Sequence, residues 1–185
     1  MRTPLTITPP PAQRAFRARH VMRSGVFRLA GEPRSVFVHF SPEGERSWAP
    51  GWDPEYLHPA DPAPNPGLVF RTRAGGELTL WLLLRYDPTA CEAEYVRVVP
   101  DSRMGTVRVA CRAAGDGHTD VHVCYALTGL SEAGNDVLAA LTEPAFGTML
   151  CQWQAAIART GSSSAPSGQG CMAPPAAGTA SEVPR

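Results

Sequence analysis

Four residues whose side chains can bind metals or act as nucleophiles alternate along one short segment. They are His118, Asp120, His122 and Cys124, and in a β-strand their side chains would all point to the same face. The two histidines would then stand about 13 Å apart, too far to bind one zinc ion directly, although His122 could do so with Cys124 or Asp120. A thiol–imidazole nucleophile would also need a group that orients the base, and the sequence offers none. We therefore predict a solvent-facing strand, with no metal and no cofactor.

Carboxylates crowd the segment 43–55, which contains Glu43, Glu45, Asp53 and Glu55. Acid–base chemistry of the glycosidase kind needs two carboxylates opposed across a cleft. Glu43 instead follows the helix-capping Ser41 at a predicted helix start, where a carboxylate complements the positive end of the helix dipole. We expect the other three carboxylates on the surface.

Arginines recur near the N-terminus, at positions 14, 17, 19 and 23. They could bind phosphate or an acidic partner, but alternating arginines are typical of a solvated strand face that protects a sheet edge. All 17 basic residues of the chain are arginine, so mechanisms that need a lysine, such as Schiff-base formation, are excluded. No glycine-rich nucleotide motif, HExxH motif or GxSxG motif occurs either.

Composition narrows the class of protein further. The chain has 185 residues, and its 17 basic side chains balance 17 acidic ones, whereas a nucleic-acid binder typically has a basic excess. No stretch reaches the roughly 18 apolar residues of a membrane span, and the N-terminus lacks the apolar core of a signal peptide. We therefore expect a cytoplasmic protein whose five cysteines are reduced, with no nucleic-acid partner.

The chain divides into three parts by composition. Residues 1–13 hold four prolines and no periodicity, which predicts a flexible arm. Residues 161–185 consist mostly of glycine, serine, alanine and proline, which predicts a disordered tail. One folded domain is predicted over 14–160.

The elements of this domain follow from the periodicity of its apolar residues. A first strand is predicted over 15–29, with Ala18, His20, Met22 and Ser24 on one face. Two proline-started short helices follow, the second ending near Ala49. Turn-forming sequences then separate six strands, predicted to be antiparallel because their connections are short, over 55–58, 68–73, 77–87, 93–99, 104–113 and 119–130.

A long C-terminal helix closes the domain and is capped by Ser131. Pro144 predicts a kink or break near 142–143. The apolar positions recur at helical spacing and must be buried against the dry face of the sheet. These positions are Leu138, Leu141, Phe146, Leu150, Trp153 and Ile157.

The order of elements is similar to that of the helix-grip fold, the SRPBCC superfamily that includes START domains, polyketide cyclases and Bet v 1-like proteins. Local sequences also resemble an uncharacterised bacterial subfamily: FSPEGERSWAPGWDPEYLHP at 40–59, VFRT at 69–72, LLRYDP at 83–88, EYVRVVPDSRMGTVRV at 94–109 and VCYALTGLSEAGN at 123–135. The resemblance implies an α+β fold in which a seven-stranded curved antiparallel sheet wraps around the C-terminal helix. The two short helices lie between strands 1 and 2.

The resemblance further implies a cavity between sheet and helix that holds a small hydrophobic ligand. Side chains that could contact this ligand are aromatic or carry a polar tip, although most of them could equally fill the core. Trp48 and Trp52 flank a Pro-Gly turn, so they could form a lid or simply pack. The predicted ligand-binding residues are His20, Met22, Trp48, Trp52, Tyr56, Phe70, Trp81, Arg85, Tyr95, Tyr125, Met149 and Trp153.

Three functions remain open at this point. The first is a binding protein for a lipid, polyketide or aromatic compound. The second is an enzyme similar to polyketide cyclases and aromatases, which needs at least two polar groups with perturbed pKa values in the cavity. The third is a protein-interaction module, which needs a filled interior and an exposed apolar patch. Both faces of the strand 77–87 are apolar, so its outward face could form a homodimer interface.

Overall fold

The computed structural model describes residues 15–161, so the predicted arm, Arg14 and the predicted tail beyond residue 161 lie outside the described residues. Seven strands form one antiparallel sheet in the order β1-β7-β6-β5-β4-β3-β2. The prediction of a seven-stranded helix-grip fold is confirmed. The strands are β1 His20–Ala30, β2 Glu55–His58, β3 Val69–Ala74, β4 Glu77–Asp87, β5 Glu92–Val99, β6 Arg103–Gly115 and β7 His118–Gly129.

Alternation along the strands separates a dry face from a wet one. On β7 the buried residues Val121, Val123, Tyr125 and Leu127 alternate with half-buried or exposed ones, as a sheet with one covered face requires. On β4 the inward side chains are Thr79, Trp81 and Leu83, which settles the orientation that the apolar sequence of this strand left open.

The connection between β1 and β2 contains the two predicted short helices, α1 Pro33–Phe37 and α2 Pro42–Glu45, with a 3₁₀ turn at Val38–Phe40 between them. The Ser41 hydroxyl accepts a hydrogen bond of 3.0 Å from the Gly44 backbone N–H and caps α2. Helix α2 ends earlier than predicted, although turn hydrogen bonds continue the coil to Ala49.

The C-terminal helix is divided into α3 Glu132–Ala140 and α4 Glu143–Gly161, as the position of Pro144 predicted. Arg23 on β1 donates a hydrogen bond of 2.8 Å from Nε to the carbonyl of Leu141 at this break. The prediction that Arg23 faces solvent is therefore wrong, because the helix break leaves a carbonyl that this guanidinium satisfies.

Helix α4 lies against the concave face of the sheet. Phe146, Leu150 and Ile157 are buried in the core, at the helical spacing that predicted them. Gly25 on β1 allows the close approach, because a Cβ built there would stand only 2.5 Å from Leu150 Cδ1. A glycine in mid-strand thus brings the helix close to the sheet edge.

The thiols differ in their state. Cys91, Cys111 and Cys124 are free. Cys151 on α4 is disulfide-bonded, which contradicts the expectation that all five cysteines are reduced. Spacing along the sequence does not show which cysteines meet in space, so this bond had no signal in the sequence.

The outer face of the sheet is not uniformly polar. Leu84 and Met104 are exposed, by 44% and 42%, and they share this face with half-buried leucines and valines of β4 and β5. Register places Leu80 beside Val98 and Leu82 beside Val96, so the apolar side chains are contiguous across the two strands. This surface, the β4–β5 outer patch, consists of Leu80, Leu82, Leu84, Val96 and Val98 with Met104 of β6.

Candidate functional site

A cavity of about 230 Å³ lies between the concave face of the sheet and α4. Its walls come from α2 and the turn after it, from β3 to β7, and from Trp153 of α4. Ala74 at the end of β3 is both exposed and part of the wall, so the cavity opens beside the β3–β4 turn. The hollow space that the resemblance implied is present.

Half of the twelve predicted ligand-binding residues line this cavity. They include all four tryptophans of the chain, and the six are Trp48, Trp52, Trp81, Tyr95, Tyr125 and Trp153. Three more pack behind the wall rather than forming it, namely Tyr56, Phe70 and Met149. Whether any of these nine contacts a ligand stays a prediction.

The prediction that His20, Met22 and Arg85 face the cavity is wrong. On β1 the odd-numbered residues Val21 and Phe27 point inward, so His20 and Met22 lie on the outer face, where Met22 is 65% exposed. A β-bulge between Leu83 and Arg85 breaks the alternation on β4. Arg85 is consequently exposed and pairs with the carboxylates of Asp87 and Glu92 on the surface.

Trp48 and Trp52 form the wall that covers the cavity from the side of α2. Trp48 donates from Nε1 to the His39 carbonyl over 2.8 Å, and Trp52 donates from Nε1 to the Pro42 carbonyl over 2.7 Å. Both indole nitrogens are therefore satisfied outside the cavity, and the hydrocarbon faces of the rings remain for the interior. Ring contacts then close the wall, from Trp48 to Trp153 over 5.3 Å and from Trp52 to Trp81 over 5.4 Å.

Glu45 is the carboxylate that the sequence analysis misplaced. It lines the cavity instead of lying on the surface, and its carboxyl makes no hydrogen bond with any residue in the described range 15–161. Burial against the surrounding wall raises its pKa to about 8 from an ordinary value of 4.5. Its position could have been predicted, because Glu45 would share a face with Trp48 and Ala49, three and four residues on, in the helix predicted to end near Ala49.

Two tyrosines place their hydroxyls in the same interior. Tyr95 donates to the Phe40 carbonyl over 2.8 Å and so fixes the 3₁₀ turn to the sheet. The Tyr125 hydroxyl has no hydrogen-bond partner among residues 15–161, and burial raises its pKa to about 12. The charge of Arg97 lowers the pKa of Tyr125 and the charge of Glu45 raises it, so the Tyr125 hydroxyl lies within electrostatic reach of both side chains.

Arg97 on β5 is the second charged residue in the wall that the sequence analysis missed. Its guanidinium carbon stands 5.5 Å from the centre of the Trp81 ring, and Nη2 donates to Glu77 Oε1 over 3.2 Å. Its Nε is buried without a hydrogen-bond partner, the one such side-chain atom within the described part of the chain. The inward position of Arg97 could have been predicted from the sequence. Arg97 is two residues from both Tyr95 and Val99, so all three side chains point to the same, inward face of β5.

The alternating residues His118, Asp120, His122 and Cys124 of β7 lie on the outer face of the sheet. His118 contacts the Asp116 carbonyl, and Asp120 accepts two hydrogen bonds from Arg28, of 2.7 Å and 3.1 Å. The described residues contain no group of three or more His, Cys, Asp or Glu placed to hold a metal ion.

Comparisons with known proteins agree with this architecture. No family model matches the sequence, and no protein of curated function matches it. Norcoclaurine synthase from Thalictrum flavum superposes with a TM-score of 0.57 at 11% identity, over 85% of this chain and 96% of that chain. That enzyme has also been solved in complex with dopamine and hydroxybenzaldehyde.

Two bacterial structures of uncharacterised proteins are similar as well. A hypothetical protein from Helicobacter pylori superposes with a TM-score of 0.61 at 12% identity, over 86% of this chain and 98% of that one. An uncharacterised protein from Rhizobium leguminosarum gives 0.57 at 19% identity, over 77% and 97%. At these identities the likeness establishes the fold alone, which is the helix-grip architecture.

No helix of the described residues is long and apolar enough to cross a membrane. The cytoplasmic location stays a prediction.

Proposed function

We propose that this protein binds a small aromatic molecule in the cavity between the sheet and α4. The observation that carries the proposal is the wall itself, in which four indole rings surround a space that also contains the polar groups of Glu45, Arg97 and Tyr125. Burial of an aromatic ring would contribute about 25 cal/mol per Å² of apolar surface to the free energy of binding, and the polar groups would orient the ligand.

The volume of the cavity limits the size of the ligand that it can hold. Its volume of about 230 Å³ lies between the roughly 150 Å³ of a cavity that holds benzene and the ~300 Å³ at the lower end of ordinary ligand pockets. A single ring with a short substituent fits this range, whereas an intact lipid chain or a long polyketide exceeds it. The complex of norcoclaurine synthase with two single-ring aromatics supports this size class by analogy of fold.

Tryptophan fluorescence tests the proposal directly, because every tryptophan of the chain lines the cavity. We expect titration with phenylacetamide or phenylacetate to change the emission and to saturate. The substitution Val109→Phe fills the cavity from β6 and should abolish the change, whereas Val96→Phe on the outer face should not. An emission unchanged by a broad panel of single-ring aromatics would contradict the proposal.

General acid–base catalysis on such a ligand is the second candidate function. Glu45 favours it, because a carboxyl with a pKa of about 8 can exchange protons near neutral pH. Above about pH 8, where Glu45 is ionised, Arg97 could hold a carbonyl oxygen while the Glu45 carboxylate removes a proton from the neighbouring carbon. The C–H electron pair would then form the enolate, and the proton would return to either atom.

Deuterium exchange tests this second function. We expect the protein in D₂O to accelerate loss of the α-protons of phenylacetone, followed by proton NMR, and Glu45→Gln to abolish the acceleration. Glu43→Gln, two residues away on the solvent side, is the matched control. Exchange equal to that of buffer alone would leave binding as the function.

Self-association is our proposal for the β4–β5 outer patch. A protein-interaction module would need both a filled interior and such a patch. The cavity shows that the interior is not filled, so only the patch remains of that alternative. A homodimer through the patch would cover its leucines and valines. Sedimentation equilibrium should then show a dimer that Leu82→Glu dissociates, and a wild-type protein that stays monomeric at high concentration would contradict this proposal.

A further inference from the structure

We infer that the ligand of the cavity is a small aromatic monoanion, an aryl or arylalkyl carboxylate whose carboxylate lies against the Arg97 guanidinium while its ring lies among the tryptophans. This inference rests on the proposed function and specifies the chemistry of the ligand. Three features of the wall carry it: an unbalanced charge, unused hydrogen-bond donors and the side on which the aromatic surface lies.

The charge around Arg97 is unbalanced. Arg97 and Arg103 both contact the same oxygen, Glu77 Oε1, over 3.2 Å and 2.7 Å. Two guanidinium charges and one carboxylate leave one positive charge on this cluster. Arg103 is nearly buried, with 8% of its side chain exposed, and Arg97 has 19% exposed. A charge removed from water in this way is costly unless it is paired, so a single negative charge fits the cluster.

The guanidinium of Arg97 is also short of acceptors. Its hydrogen bond to Glu77 is the only one that it makes with a residue in the described range, and Nε is buried with no partner. A guanidinium presents its N–H donors in a planar fork that matches the two oxygens of a carboxylate. The acceptor that the protein itself does not supply is the one that a carboxylate ligand would bring.

The aromatic surface lies directly beside this fork. Trp81 stacks under Arg97, and Trp52 meets Trp81 edge to face over 5.4 Å. A ring attached to the carboxylate by a short linker would therefore enter the indole-lined part of the cavity. Glu45 does not oppose the anion at neutral pH, because its raised pKa keeps the carboxyl protonated and able to donate a hydrogen bond.

Paired probes of equal shape test the inference in the wild-type protein. Phenylacetate and phenylacetamide differ in charge but hardly in size, and both report through tryptophan emission. We expect phenylacetate to bind at least about tenfold more tightly at pH 7 and low salt, as for a hydrogen-bonded ion pair shielded from water. Equal affinities, or tighter binding of the amide, would overturn the inference that the ligand is an anion and leave the proposed aromatic-binding function intact. Binding of neither probe would overturn both.

Substitution of Arg97 locates the effect. Arg97→Gln should remove the preference for phenylacetate and leave the affinity for phenylacetamide within about twofold, because the apolar wall is kept. The matched control is Arg108→Gln on the neighbouring strand β6, where Arg108 is 64% exposed on the outer face and pairs with Glu94. A preference for the anion that survives in Arg97→Gln, or disappears in Arg108→Gln, would overturn the assignment to Arg97. Circular dichroism of both variants checks that they fold.

Discussion

Replacing Glu45 by glutamine should make the protein more stable at alkaline pH and change its free energy of unfolding at pH 5 by less than about 1 kcal/mol. In the unfolded chain Glu45 titrates near its ordinary pKa of 4.5, and in the folded protein near 8. Below pH 4.5 both states hold the proton. Between these two values the unfolded state has lost the proton and the folded state keeps it, so the free energy of unfolding falls as the pH rises. Above about pH 8 both states have lost the proton, and the free energy of unfolding falls no further through Glu45.

The magnitude follows from the two pKa values. A rise from 4.5 to about 8 corresponds to about 5 kcal/mol if the carboxylate is fully desolvated. About 4 kcal/mol of this change falls between pH 5 and pH 9, and the remainder falls outside that range.

Urea unfolding followed by tryptophan fluorescence measures this difference at pH 5, 7 and 9. The control is Glu43→Gln in the same helix, because the pKa of Glu43 is shifted in the opposite direction. A hydrogen bond from Tyr56, and a weaker effect of the hydrogen bond from Arg46, lower the pKa of Glu43. Its stabilisation is present above the ordinary pKa and lost as the pH falls, so Glu43→Gln should give no gain at pH 9. Parallel stability curves for wild type and Glu45→Gln from pH 5 to pH 9 would refute the placement of Glu45 in the cavity.

Further predictions concern the packing of the helix and the sheet. Leu150→Ala should lower the free energy of unfolding by about 2–5 kcal/mol, because Leu150 is buried between α4 and β1. Met22→Ala on the outer face should change the free energy of unfolding by less than ~0.5 kcal/mol. Urea unfolding of the two variants and the wild type measures both effects. Gly134→Ala should lower the melting temperature measured by calorimetry, because the new Cβ would lie 1.7 Å from a backbone carbonyl in the β5–β6 turn, and an unchanged value would contradict the docking of α3 there. In the native protein Cys124→Ser should remove one thiol that reacts with a disulfide reagent, whereas Cys111→Ser should remove none, because burial raises the pKa of the Cys111 thiol to about 12.

The sequence predicted the fold well because its main determinants are local. Turn residues separate the strands, Ser41 and Ser131 cap helices, and Pro144 marks the break between α3 and α4. Alternation identified the inward face of β7 correctly. On β1 the same argument failed, since Arg23 points inward toward a carbonyl at the helix break, a partner 118 residues away in sequence.

The candidate site was predicted only in its apolar part. The four tryptophans mark the wall because large aromatic side chains are rarely left in solvent. Charged residues are usually on the surface, so Glu45 and Arg97 were placed there or passed over, and only the three-dimensional arrangement shows that they face the interior. The bulge in β4 likewise reverses Arg85, because a single extra residue changes the face of every side chain beyond it.

The indole N–H signals of the four tryptophans test the central claim most directly, since all four indole rings line the cavity and a bound ligand would contact them. We predict that phenylacetate and phenylacetamide, titrated separately and followed by ¹⁵N–¹H correlation spectra, each shift these signals to saturation while the backbone amides of Met22 and Val26 stay in place. Shifts confined to the outer face of the sheet, or no saturable shift of any indole signal, would contradict a ligand-binding cavity beneath α4.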